Sequence, residues 1–123
     1  MVFANTDKEI TLIYNSTEHV GQQILAYAQL EKITIRTVDL VHEKITPTQW
    51  AEFASRLDIP VVDLINTTSP GFEKKFGITE HSSENDWLTL LVKNPDKLKA
   101  PIVMKGDKIK MMNNPQEMLY FTK

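Results

Sequence analysis

The sequence predicts one α/β domain spanning residues 1–123, a four-stranded mixed sheet flanked by helices with an inserted helical segment. Three observations predict it. A strand–helix–strand run occupies the first third, a hairpin signal lies near the end, and capped amphipathic helices fill the middle. Strand–helix–strand in about 30 residues reads as a right-handed unit with parallel strands. Glycine-aspartate between two short strand-like runs reads as a tight antiparallel turn.

Glu9 to Tyr14 (EITLIY) is β-rich with an apolar centre. Ser16 or Thr17 then supplies a cap for a helix over Glu18–Glu31, whose Val20, Ile24, Tyr27 and Ala28 share a face. Ile33 to Asp39 alternates, with Ile33, Ile35 and Val38 as its inward candidates. Thr46-Pro47-Thr48-Gln49 is a capping box with proline at the first helical position. It opens a helix that buries Trp50, Phe53, Ala54 and Leu57 and stops at Pro60. Val61–Leu64 is one short turn of helix. Ser69-Pro70-Gly71 signals a turn before an amphipathic piece around Phe72 and Phe76. Ser83 caps a helix over Glu84–Lys93 that buries Trp87, Leu88, Leu90 and Leu91. Pro101–Met104 and Lys108–Met111 flank the Gly106-Asp107 turn. Asn114-Pro115-Gln116-Glu117 caps a last helix carrying Met118, Leu119 and Phe121.

Composition narrows function. The chain has 123 residues, 41% hydrophobic and 24% charged, with a net charge of −2. That balance exerts no general pull on nucleic acid or acidic membranes. Arg36 and Arg56 are the only arginines, so bidentate anion clamps are scarce. No cysteine occurs, which removes disulfides, thiolate metal sites and every reaction that needs a protein thiolate. No apolar run approaches the ~20 residues of a membrane span, and the first residues lack the pattern of a secretory signal. The expectation is a cytoplasmic protein that neither enters membranes nor contacts nucleic acid directly.

In order and spacing these pieces resemble the arsenate reductase/Spx-like family, glutaredoxin-like thioredoxin folds with an inserted helical segment, from Ile10 to Phe121. The family opens with a strand and an Asn-Pro-x-Cys loop. Here Asn15 fits, Ser16 stands at the proline and Glu18 at the cysteine. The family's second cysteine or serine falls on Gly21. Pro47-Thr48, Asp63-Leu64-Ile65 and the run from Phe72 to Gly77 follow the family's middle. Asn94 to Val103 is similar to its Pro-x-Leu-x-x-Arg-Pro-Ile-Val run, with Gly106-Asp107 and Asn114-Pro115 at matching spacing. In the reductases three arginines cradle the oxyanion. The resemblance places them on Asn66, on Ala100, and on Asn113 or Asn114. It also implies a cis bond at Ala100-Pro101.

The resemblance therefore implies a catalytically inactive family member, a pseudoenzyme serving as a binding or regulatory module with a protein partner, as a monomer or weak dimer. Spx-type regulators, which bind RNA polymerase through this fold, are the analogy. The candidate binding site is the former active site: Tyr14, Asn15, Ser16, Thr17, Glu18, His19, Asn66, Ala100, Pro101 and Asn114. No cofactor is expected. His19, His42 and His81 lack metal-site spacing, so no metal is expected either. One alternative is an enzyme that borrows the thiol of glutathione, with Tyr14, Ser16 or Thr17 stabilising its thiolate. Another is a family protein of a different role. Glu18 also has a plain reading, as a first-turn carboxylate that stabilises its helix by roughly 0.3–1 kcal/mol.

Overall fold

The structure is a computed structural model and describes residues 9–68, 72–77 and 82–122. The N-terminal eight residues, the Ser69-Pro70-Gly71 turn signal and His81 lie outside the described residues. The chain groups into two compact units, residues 1–43 with 100–123, and residues 44–99. The second is the inserted helical segment.

The first unit holds the whole sheet. Strands β1 (Ile10–Tyr14), β2 (Ile35–Asp39), β3 (Ile102–Lys105) and β4 (Lys108–Met111) run in the order β2-β1-β3-β4. β1 and β2 are parallel, with Tyr14 opposite Asp39. β3 is antiparallel to both β1 and β4. Helix α1 (His19–Leu30) is the crossover between the parallel strands, as the strand–helix–strand pattern required. Gly106 takes φ 57° at the hairpin, a left-handed conformation that glycine adopts without steric cost.

β1 is buried along its whole length, so it lacks the alternation of a half-exposed strand. Ile10, Leu12 and Tyr14 share a core with Ile24, Val103, Met112, Met118 and Phe121. Ile33 and Ile35 pack against that core from its margin. Val38 faces the opposite way, since residues 35 and 38 differ in parity along a pleated strand. It is paired with Ile13, and both are fully buried. Met112 is a fully buried core residue.

Three local expectations are corrected in this unit. Neither Ser16 nor Thr17 caps α1. The N-cap is Glu18, in extended conformation and without a side-chain cap bond, and the helix starts at His19. The Ser16 and Thr17 groups are drawn off by Asp39 and Asn15. Asn114 precedes a 3-10 turn over Pro115–Met118, and only then comes α5 (Leu119–Thr122). The Asn114 amide donates to the Glu117 carboxylate at 3.4 Å instead of capping the N3 amide through its side chain. The Ala100–Pro101 bond is trans, not cis. Trans is the favoured isomer by about 0.5–1 kcal/mol, and the Pro101 carbonyl accepts the Met112 N–H at 2.9 Å.

The second unit contains α2 (Pro47–Leu57), a 3-10 turn at Val61–Leu64, α3 (Phe72–Phe76), α4 (Glu84–Lys93) and a 3-10 turn at Pro95–Lys97. The expected capping box of Thr46 with Gln49 forms, and the expected Ser83 cap forms one as well, with Asp86. α2 ends at Leu57, three residues before Pro60, because Asp58 takes a left-handed conformation at φ 59° and Ile59 N–H returns to the Ala54 carbonyl. Trp50, Phe53 and Ala54 form the buried stripe of α2, while Leu57 is only half-buried. Trp87, Leu88, Leu90 and Leu91 form that of α4, and the Trp87 ring stacks on Phe72 with centroids 6.4 Å apart.

Candidate functional site at the end of the parallel strands

In open α/β sheets ligands bind beyond the carboxyl ends of the parallel strands, where the chain turns into a helix. Here that place is the loop from Asn15 to Glu18, between β1 and α1. Asp39, at the corresponding end of β2, organises it. Its Oδ1 accepts the Ser16 N–H at 3.2 Å and the Val41 N–H at 3.0 Å. The Ser16 hydroxyl donates to the same carboxylate, and His42 lies 3.8 Å away. The Leu40 N–H closes the arrangement onto the Tyr14 carbonyl at 2.8 Å. Asp39 therefore staples the two strand ends together.

The rest of the loop is bonded to itself. Asn15 Oδ1 accepts both the N–H and the hydroxyl of Thr17, at 2.9 and 2.6 Å, a local side-chain turn. The Glu18 N–H donates to the Asn15 carbonyl at 3.0 Å. Gln22 reaches back from α1 to the Ser16 carbonyl, and His19 bonds Gln23 one turn along. A loop meant to receive an oxyanion would present free N–H groups. This one gives the Ser16 N–H to Asp39 of β2 and the Thr17 N–H to its own Asn15, and it carries a second carboxylate at Glu18.

Burial raises the cost of charging Asp39. The bonds from Ser16 and Val41, with His42 nearby, outweigh that cost and hold its pKa below the ordinary 3.8. A depressed carboxylate pKa contributes stability above the unfolded value and loses it as pH falls through the folded value. Wild-type stability should therefore drop as pH falls below about 3.9. Asp39→Asn should flatten that part of the profile and cost about 1 kcal/mol at neutral pH, because the amide oxygen still accepts from Ser16 and Val41 but the bonds are no longer charge-assisted. Denaturant unfolding of both proteins between pH 2 and 7 checks this, and parallel profiles would refute it.

Tyr14 is 8% exposed and sits in the core. Burial, and secondarily the Asp39 charge, push its phenol above the ordinary 10.0. Its ring fills the space that a side chain at Gly21 would need. A Cβ built on Gly21 would lie 2.8 Å from Tyr14 Cδ2 and 3.0 Å from its Cβ. Gly21 is there because helix and ring approach too closely for any side chain.

The other candidates are placed as follows. Ala100 and Pro101 are buried just before β3. Asn114 is exposed at the start of the C-terminal 3-10 turn. Asn66 belongs to the helical unit, where its Oδ1 accepts the Thr68 N–H and hydroxyl and its N–H donates to the Lys97 carbonyl. Within the sheet unit the structure brings Tyr14, Asn15, Ser16, Thr17 and Glu18 together around Asp39. Sequence reading missed Asp39 and Gln22. The available signal was an aspartate closing a strand that pairs in parallel with the strand leading into the loop. Among the described residues no group of three histidine or carboxylate side chains could hold a metal, and no helix is long and apolar enough to cross a membrane.

Fold and loop together define a thioredoxin-like architecture carrying a helical insert. Solved structures share it. An arsenate reductase from Vibrio cholerae superimposes with a TM-score of 0.80 over 93% of this chain and 98% of its own, at 11% identity. A candidate arsenate reductase from Yersinia pestis gives a TM-score of 0.79 over 90% and 98%, at 18% identity. An arsenate reductase-related protein from Brucella melitensis gives 0.67 over 94% and 96%, at 15% identity. No protein-family model matches the sequence, and no curated protein matches it significantly. The shared property is the fold.

Proposed function

We propose that this chain is a catalytically inactive, cytoplasmic relative of the arsenate reductase/Spx-like proteins that works as a binding or regulatory module. The observation that carries the reading is Asp39. Its carboxylate takes the loop donors that an oxyanion would need, in a chain with no cysteine to attack one. The partner is a protein, and the chain itself is a monomer or weak dimer. No cofactor takes part.

The glutathione-using alternative needs a hydroxyl aimed at a bound thiol. The Ser16 hydroxyl is engaged by Asp39 and that of Thr17 by Asn15. The Tyr14 phenol is buried and made a weaker acid than usual. These commitments support the binding reading over the enzymatic one.

Titration of the isotope-labelled protein with arsenate, phosphate and glutathione tests it. The expected result is no saturable amide shift from Asn15 to Gly21 and at Ala100. Saturable millimolar or tighter binding at those amides would overturn the abandoned-site reading.

A further inference from the structure

β4 is an edge strand. It pairs with β3 and with no other described strand. A two-residue hairpin is closed by a hydrogen-bonded pair, here Lys105 and Lys108, and bonded pairs then alternate with non-bonded ones. Ile109 and Met111 therefore turn their backbone N–H and C=O groups away from β3, toward the open edge.

The side chains on one face of that edge are cationic. Lys105, Lys108 and Lys110 share the parity of Val103 and Lys110, paired across the strands, and Val103 belongs to the core beneath α1 and α5. Like charges directly opposite, as Lys105 and Lys108 are, destabilise a sheet. Lys105 is engaged by the Phe121 carbonyl at 3.0 Å. Lys108 and Lys110 lie 5.6 and 5.9 Å from the centroid of the Tyr120 ring. Glu117, 3.9 Å from Lys110, and Asp107 at the turn are the carboxylates nearby in this hairpin and cap. Tyr120 is half exposed, as is its neighbour Leu119. An aromatic ring with two ammonium groups over it, beside strand backbone that no described strand pairs, is an unsaturated surface.

We propose that the open edge of β4 docks an extended acidic segment of a partner protein. The segment adds as a fifth strand on the Ile109 and Met111 backbone and sets carboxylates against Lys108 and Lys110. This names the surface and partner chemistry of the binding-module reading and rests on it. Charge complementarity selects the occupant. A second copy pairing through the same edge would set lysines against lysines, and lysine on an edge strand guards against such self-pairing. A backbone-paired strand with alternating acidic residues meets both the edge and the ammonium groups, as in other strand-addition complexes.

The probe is a short synthetic peptide of alternating glutamate and valine, titrated into the labelled full chain. Saturable amide shifts at Ile109 and Met111 are expected. Lys108→Glu with Lys110→Glu should weaken binding about two- to thirtyfold, the range two exposed ion pairs supply. The same variant should gain affinity for a lysine-valine peptide, which keeps the test independent of any loss of folding. Absence of shifts at β4 overturns the docking surface, and so does preferential binding of an oligothymidine. Shifts confined to Asn15–Gly21 overturn it while leaving the binding-module reading intact. Arsenate turnover would instead overturn the module reading.

Discussion

Replacing Glu18 and Gly21 together with cysteine is expected to give a less stable protein with no arsenate reductase activity. The two halves of that result have separate causes. At Gly21 two effects compete. A side chain in the middle of a helix normally gains about 1 kcal/mol over glycine through propensity. Here the added Cβ would stand 2.8 Å from a ring carbon of Tyr14 and 3.0 Å from its Cβ. Tyr14 is anchored in β1 and buried, so it has little room to withdraw. Overpacking of this kind costs about 1–3 kcal/mol, and the steric term wins. Gly21→Ala alone should therefore destabilise, and should cost less in a Tyr14→Ala background, where the 2.8 Å ring contact is gone and only the 3.0 Å contact with the residue-14 Cβ stays. Urea denaturation of the four proteins of this cycle reads the sign directly. An additive cycle would show that the ring does not decide the residue.

At Glu18 the loss of activity is electrostatic. A cysteine placed there would follow a loop whose Ser16 N–H and hydroxyl are already held by the Asp39 carboxylate. Arg36 and Arg56 are the only arginines of the chain, and neither lies in the loop or at the start of α1. Lowering a thiol pKa requires cations or free helix donors, and an oxyanion requires counter-charge. A glutathione- and glutaredoxin-coupled assay of the Glu18→Cys single variant should show no turnover above buffer. Measurable arsenate reduction would refute the reading of an abandoned site.

The second large effect is expected at Trp50. Its side chain is fully buried in the helical unit and meets the Phe53 ring edge-on, with centroids 5.9 Å apart. Trp50→Ala should cost about 3–5 kcal/mol, the range for emptying a buried aromatic site. Its indole N–H is buried without a hydrogen-bond partner among the described groups. An unpaired buried donor costs about 1–3 kcal/mol, so Trp50→Phe removes a liability along with the volume. That variant should lose no more than about 1.5 kcal/mol. Thermal and denaturant unfolding of both variants distinguish volume from polarity. A Trp50→Phe loss as large as that of Trp50→Ala would mean the N–H is satisfied.

Sequence patterns alone determined the element order, the Thr46 and Ser83 caps, the hairpin and the apolar stripes of α2 and α4. These depend on neighbours within a few residues, through helical periodicity, cap donors and the left-handed preference of glycine. The absence of cysteine likewise settled, without coordinates, that no protein thiolate acts. The cap of α1 was different. Ser16 and Thr17 carry the right groups for it, but Asp39, twenty-three residues away in sequence, claims the N–H of Ser16. Local propensity lost to a tertiary acceptor that exists only once β1 and β2 are paired. Gly21 reads from the sequence as a missing functional group. In the structure it is a steric requirement, imposed by a ring that the fold lays against the helix. Periodicity and capping are local and survive in a one-dimensional string. The ownership of a hydrogen-bond donor and the space for a Cβ are set by residues that only folding brings together.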